Sequence, residues 1–199
     1  MGSEYKTIAA PSQGSLREKM SKFIAFASPV SSAGEAKEFI ARVANEYHDA
    51  RHVCWAYSIG ADGAVWQLND NGEPSGTAGK PILGQIRSAG LSNVAIAVVR
   101  YFGGIKLGTS GLIAAYREAA RLALEAAEVV TAYETVTLTV EFPYLAMNAV
   151  MRALKSSPEA RIVSQDFDNV CRLVLSVRAD AADALLARMP EATVRTDGE

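Results

Sequence analysis

Arg100 and Lys106 flank Gly103 and Gly104, and Gly108-Thr109-Ser110-Gly111 follows before an apolar helical pattern opens at Leu112. Two cations beside a glycine-rich turn into a helix read as an anion site. Glycine permits close approach by another group, and the first turn of a helix offers free N–H groups and the positive end of its dipole. The plainer reading is that the glycines only turn the chain and the two basic side chains are solvated. A P-loop needs Gly-Lys-Ser/Thr where this chain has Gly108-Thr109-Ser110, and no G-x-G-x-x-G passes through Gly103, Gly104 and Gly108, so ATPase and dinucleotide chemistry are disfavoured.

A second segment, Asn69 to Gly84, is rich in Gly and Pro and carries Asp70, Glu73, Ser75 and Thr77. If it meets the Arg100 to Gly111 loop, the two form a cleft. Arg51, Lys80, Arg100 and Lys106 would there contact phosphates, with Gly103, Gly104, Gly108 and Thr109 supplying close backbone approach. Tyr101, Phe102 and Trp55 would offer stacking faces to unpaired bases, or else pack in the core as strand aromatics usually do. Asp70 and Glu73 have the spacing of a catalytic or metal-binding carboxylate pair, or that of acids capping a helix or a turn. His48, His52 and Cys54 make a weak zinc trio with no second cluster elsewhere, so no metal and no other cofactor are expected.

The elements that must position these residues follow from pattern. Val94 to Val99 is an apolar, branched run of strand length, read as a central strand covered on both faces. Tyr5 to Ala9 and Lys22 to Ala27 read as strands, with a turn at Ala10 to Gly14 between them. Ser31 or Ser32 caps a helix with Ala36, Phe39, Ile40, Val43, Ala44 and Tyr47 on one face, and Glu35 completes a capping box. His52–Ile59 and Ala64–Leu68 read as a hairpin, and Ile82 to Ala89 as a helix with Pro81 in its first turn and Gly90 at its end. The next helix begins at Leu112.

After Val130 the pattern changes to a strand over 131–142, a helix over 144–155, strands over 161–167 and 170–178, a helix capped by Asp180, and an edge strand over 192–196. That βαββαβ order is the split-βαβ, ferredoxin-like arrangement. The chain therefore reads as α+β with two domains, 1–130 and 131–199.

With 199 residues, 49% of them apolar and 21% charged, the chain has the composition of a globular protein. Its start holds no signal-like apolar core and no apolar run reaches membrane-spanning length, which points to the cytoplasm. Cys54 and Cys171 read as buried thiols rather than a disulfide. Residues 1–130 carry 13 Lys/Arg against 12 Asp/Glu, and residues 131–199 carry 7 against 10. Neither part has the basic excess of a dedicated DNA-binding domain. Arg152, Arg161, Arg172 and Arg178 lie in the second part, but the aromatic pairs of RNA-binding sheets are missing there.

At Asp70 to Leu83 (DNGEPSGTAGKPIL) and Val98 to Tyr116 (VVRYFGGIKLGTSGLIAAY), with His48 to Tyr57 (HDARHVCWAY) before them, the chain resembles the IMPACT family in its bacterial YigZ-type form. The resemblance covers most of residues 20 to 128. It departs from the family at Asp70-Asn71, where two acids are usual, and near Ala114, where a basic residue is common.

The resemblance implies an N-terminal domain like the second domain of ribosomal protein S-five and a ferredoxin-like C-terminal domain like domain V of elongation factor G. It makes RNA or the ribosome the expected partner, with a role in translation or stress adaptation and no catalysis. The C-terminal domain would orient the first or bind a protein. The eukaryotic relatives' restraint of a translation kinase involves a domain absent here and is not carried over. An enzyme acting on a small phosphorylated metabolite through Asp70 or Glu73, and a pure protein-interaction module, remain the alternatives.

Overall fold

The structure, a computed structural model, describes residues 4–196. The fold is mixed α and β in two compact units, one spanning Tyr5–Ala132 and the other beginning at Tyr133. In the first, β1 (Glu4–Ile8), β2 (Ser12–Glu18) and β3 (Ser21–Pro29) lead to α1 (Ala33–Glu46). Then come β4 (His52–Ile59), β5 (Val65–Asn69), α2 (Gly79–Ser88), β6 (Val94–Tyr101), α3 (Gly108–Glu125) and β7 (Val129–Tyr133). A five-stranded sheet has the order β2-β3-β6-β4-β5 with every neighbour antiparallel, and β1 pairs with β7 in a separate ribbon.

The central strand is β6, and Val94 through Val99 are completely buried. Its run is continuous because both faces are covered. Val94, Ile96 and Val98 pack with α2 and α3, while Ala95, Ala97 and Val99 pack with α1. Burial of each branched side chain is worth about 1.5–3 kcal/mol, against about 0.5–1.5 kcal/mol net for a ladder hydrogen bond. Side-chain burial therefore sets the strand's central place. Helix α1 begins as its pattern implies: Ser32 accepts from the Glu35 N–H at 3.1 Å, and Glu35 Oε2 accepts from the Ser31 hydroxyl at 2.8 Å.

Two boundaries differ from the pattern. The expected turn at Ala10 to Gly14 is where β2 begins, a polar strand held by its ladder to β3 and by packing on α3. Helix α3 starts at Gly108, a turn before Leu112, although Gly-Thr-Ser-Gly is poor helix sequence. The apolar face that follows, Leu112, Ala115, Tyr116 and Ala119, docks on the sheet and carries that weak turn with it.

The second unit runs β8 (Thr135–Phe142), a 3₁₀ turn (Tyr144–Ala146), α4 (Met147–Lys155), β9 (Ala160–Phe167) and β10 (Cys171–Arg178). After a second 3₁₀ turn come α5 (Ala182–Ala187) and β11 (Thr193–Thr196). Its antiparallel sheet has the order β11-β8-β10-β9. Alternation puts Leu173, Leu175 and Val177 of β10 into a core with Val140, Val150 and Leu185. The single strand expected over 131–142 breaks at Glu134, whose carbonyl accepts from Ala179 N, so β7 pairs with β1 and β8 with β10. Asp180 does not cap a helix by its side chain; its carboxylate accepts from Arg178 Nε at 2.5 Å.

Strand β2 crosses α3 closely enough that a Cβ on Gly14 would lie 2.6 Å from backbone atoms of Leu122 and Ala123, whereas one on Gly84 of α2 would meet nothing within 4 Å. Gly14→Ala should lower the unfolding free energy by about 1–3 kcal/mol, and Gly84→Ala should raise it by about 0.5–1 kcal/mol. Urea unfolding of the two variants beside the parent checks both signs.

Candidate functional site

Cross-strand register brings the chemistry together. Arg100 of β6 stands opposite Phe23 of β3 on one side and His52 of β4 on the other, so the three side chains share the sheet face covered by α2 and α3. Arg100 is only 5% exposed. Its Nη1 donates to Glu73 Oε1 at 2.5 Å, and its Nη2 lies 3.4 Å from Ser21 Oγ. The guanidinium sits 5.6 Å from the Phe23 ring centroid and 5.5 Å from that of Phe102. Glu73 also accepts from the Tyr116 hydroxyl at 2.7 Å, and His52 Nε2 is 4.0 Å away. His52 Nδ1 lies 2.8 Å from the Asn71 carbonyl. Only an N–H can bond there, so in the neutral ring Nε2 keeps its lone pair.

Beneath this pair lies Cys54. Its Sγ donates to the Asp70 carbonyl at 3.0 Å and lies 3.4 Å from the Tyr116 hydroxyl. Burial, reinforced by the negative charges of Glu73 and Asp70, pushes the thiol up to about 12 despite its contact with Tyr116. Burial, with Cys54 and Glu73 alongside, also raises the Tyr116 phenol. Neither is a nucleophile at neutral pH.

Above the pair opens a cleft of about 520 Å³, lined among others by Arg51, His52, Pro74, Arg100, Phe102, Lys106, Gly108 and Thr109. The Asp70 to Gly79 loop and the Arg100 to Gly111 loop thus converge. Arg51, Lys106, Gly108 and Thr109 line the cleft. Other candidates lie elsewhere. Lys80 lines a separate hollow with Gly84, Gln85 and Arg117. Gly103 is pressed on the β2–β3 turn, where a Cβ would fall 2.0 Å from the Met20 carbonyl oxygen, and Gly104 has φ +92° with open space around it.

Asp70 serves the backbone. Its carboxylate accepts from Gly76 N at 2.8 Å, Ala78 N at 3.1 Å and Gly79 N at 2.8 Å, closing the loop onto the start of α2. The Thr77 hydroxyl, buried, donates to the Pro74 carbonyl at 2.6 Å, and Ser75 is exposed on the loop. Asp70 and Glu73 therefore do not act as one pair: the first holds the loop, and the second holds Arg100.

Of the expected stacking aromatics only Phe102 lines the cleft. Trp55 stacks on Tyr57, and Tyr101 donates to Asp49 at 2.8 Å, both on the face covered by α1. Strand alternation carries that signal, because Trp55 is out of step with His52 and Cys54, and Tyr101 with Arg100. The same parity marks His52 as a cleft residue, which the motif spacing alone does not.

The geometry fits a family. Residues 19–124 match the Impact N-terminal domain. The chain is 33% identical over 175 residues to an IMPACT family member of Haemophilus influenzae, covering 87% of this chain and 84% of that protein. Against the IMPACT family member YigZ of Escherichia coli it is 33% identical over 175 residues, 87% of this chain and 85% of the relative. A crystal structure described as that of a hypothetical protein is similar over the full length of both chains, with a TM-score of 0.77 at 29% identity. The chain belongs to the IMPACT family, and it is of the YigZ type.

Removing one partner of a buried ion pair leaves the other charge unpaired at a cost of about 3–5 kcal/mol. Glu73→Ala should therefore destabilise by about that much, and the double change Glu73→Leu with Arg100→Met should recover most of the loss. A single variant costing under about 1 kcal/mol in urea unfolding would contradict the pairing.

The Cys54 thiol predicts a pH dependence. An unfolded thiol loses its proton near 9 and the folded one near 12, so between these values the native state binds more protons and stability falls as pH rises. Cys54 should stay unreactive toward a disulfide reagent at pH 8 until the protein unfolds, and a Cys54→Ala variant should show a weaker alkaline loss of stability. Melting temperature measured from pH 8 to 11 reads the second effect.

Proposed function

We propose that this protein is a non-enzymatic RNA-binding accessory of translation, holding unpaired RNA or a ribosomal RNA segment in the cleft of its N-terminal unit. The observation that carries the reading is the union of Arg51, Lys106 and the start of α3 with the half-exposed Phe102 in one cleft. Cations and helix N–H groups take phosphates, and an open aromatic face takes a base. Arg100 contributes as the floor of the cleft, since its charge is matched by Glu73.

The strand order β2-β3-β6-β4-β5 with helices on both faces supports a domain like the second domain of ribosomal protein S-five over residues 1–130. The order β11-β8-β10-β9 supports a ferredoxin-like domain over 131–199. A translation role rests on the occurrence of these two domain types side by side in elongation factor G, which is analogy of fold. Among the described residues no helix is long and apolar enough to cross a membrane. In the C-terminal unit, Tyr144 and Leu145 are 75% and 94% exposed, which favours a protein partner there. The alternative of an enzyme using Asp70 or Glu73 is weakened because both carboxylates already have protein partners.

The reading predicts binding to short single-stranded RNA whose log affinity falls with log salt by about 0.7 per phosphate contact. Arg51→Ala and Lys106→Ala should each weaken binding and reduce that slope by about one contact's worth. Fluorescence anisotropy at several salt concentrations measures both. Unchanged affinity and slope in both variants would remove the cleft from the binding surface.

A further inference from the structure

Resting on the reading of the cleft as an RNA site, we infer that it recognises a terminal phosphomonoester of single-stranded RNA rather than the phosphodiesters of the chain interior. Charge is the first argument. Arg100 is matched by Glu73, so the cleft's excess charge comes from Arg51 and Lys106, which enter no salt bridge among the described residues. To these the start of α3 adds about half an elementary charge.

That start is open. Helix α3 is 18 residues long, has Leu107 at its cap position with no side-chain cap, and carries no acid in its first turn. Gly108 and Thr109 bring it to the cleft wall, and Gly108 takes φ +75°, a turn that favours glycine. The resulting excess matches a phosphomonoester, which carries about −1.5 to −2 at pH 7, better than a diester with a single charge.

The second argument is an unused donor. Among the described residues Arg100 Nε is the sole buried side-chain N or O without a hydrogen-bond partner, and Arg100 lines the cleft at 5% exposure. Buried donors are rarely left so. A phosphomonoester has three free acceptor oxygens for the cleft's exposed donors, Arg51, Lys106 and the N–H groups at the start of α3, where a diester has two.

Room is the third. A cleft of about 520 Å³ falls in the range that encloses one small molecule, and Phe102, Pro74, Leu107 and Leu112 give it an apolar wall. It suits one end nucleotide with its base on Phe102, a residue 41% exposed.

The test uses the full chain and four probes in competition anisotropy: one short single-stranded RNA with a 5′-phosphate, the same RNA with a 3′-phosphate, the same RNA with both ends dephosphorylated, and ribose 5-phosphate. At least one end-phosphorylated RNA should bind roughly tenfold or more tightly than the dephosphorylated one, and Arg51→Gln and Lys106→Gln should shrink that ratio. Equal binding of all three oligomers would overturn the terminal specificity and leave the RNA reading standing. No binding by any oligomer would overturn both. Ribose 5-phosphate competing as well as the phosphorylated RNA would overturn the RNA source and assign the cleft to a small phosphorylated metabolite. The comparison on the parent protein decides these outcomes without the variants.

Discussion

A guanidinium and a carboxylate buried side by side must satisfy each other, because neither can be left unpaired away from water without a cost of several kcal/mol. Arg100 at the end of β6 and Glu73 in the loop before α2 are such a pair, with side chains only 6% and 4% exposed. Their contact joins the central strand to the Asp70 to Gly79 loop. The Tyr116 hydroxyl, donating to the same carboxylate, brings α3 into the arrangement. Through Tyr116 and Cys54 the network continues to the loop backbone at Asp70. The loop is thus tied to strand and helix by side chains as well as by its own turns.

The cleft is what this arrangement leaves open. With Arg100 matched below, the positive character above belongs to Arg51, Lys106 and a helix start, which line the cleft. Division of labour between structural and available charge is what separates a binding surface from an internal ion pair. Asp70 shows the same division on the acidic side: its oxygens are taken by three backbone N–H groups, so the loop keeps its shape without drawing on the cleft's cations.

The family assignment and the site geometry meet in the same residues. Two of the three motif segments quoted from the sequence contain the converging loops and the third, His48 to Tyr57, carries Arg51 and His52; the matched domain, residues 19–124, contains all three. Asn71 takes φ +39° and offers its carbonyl to His52, so its backbone contributes to the cleft's edge.

Local pattern by itself determined the elements whose physics is local. The buried run of β6, the Ser32 and Glu35 cap of α1, Pro81 in the first turn of α2 and the glycine at its end all follow from side-chain type and spacing along one segment. Tertiary structure decided what depends on distant partners. Strand β2 is polar and contains Gly14, and exists because β3 pairs with it and α3 packs on it. Helix α3 starts a turn early because its docked face stabilises a weak first turn. Arg100 is a structural cation rather than a free one because Glu73, 27 residues away in sequence, folds back onto it. Lys80, at the start of α2, lines a different hollow with Gly84 and Arg117. Sequence names the charged groups, and only the fold, by pairing some of them internally, says which remain exposed in the cleft.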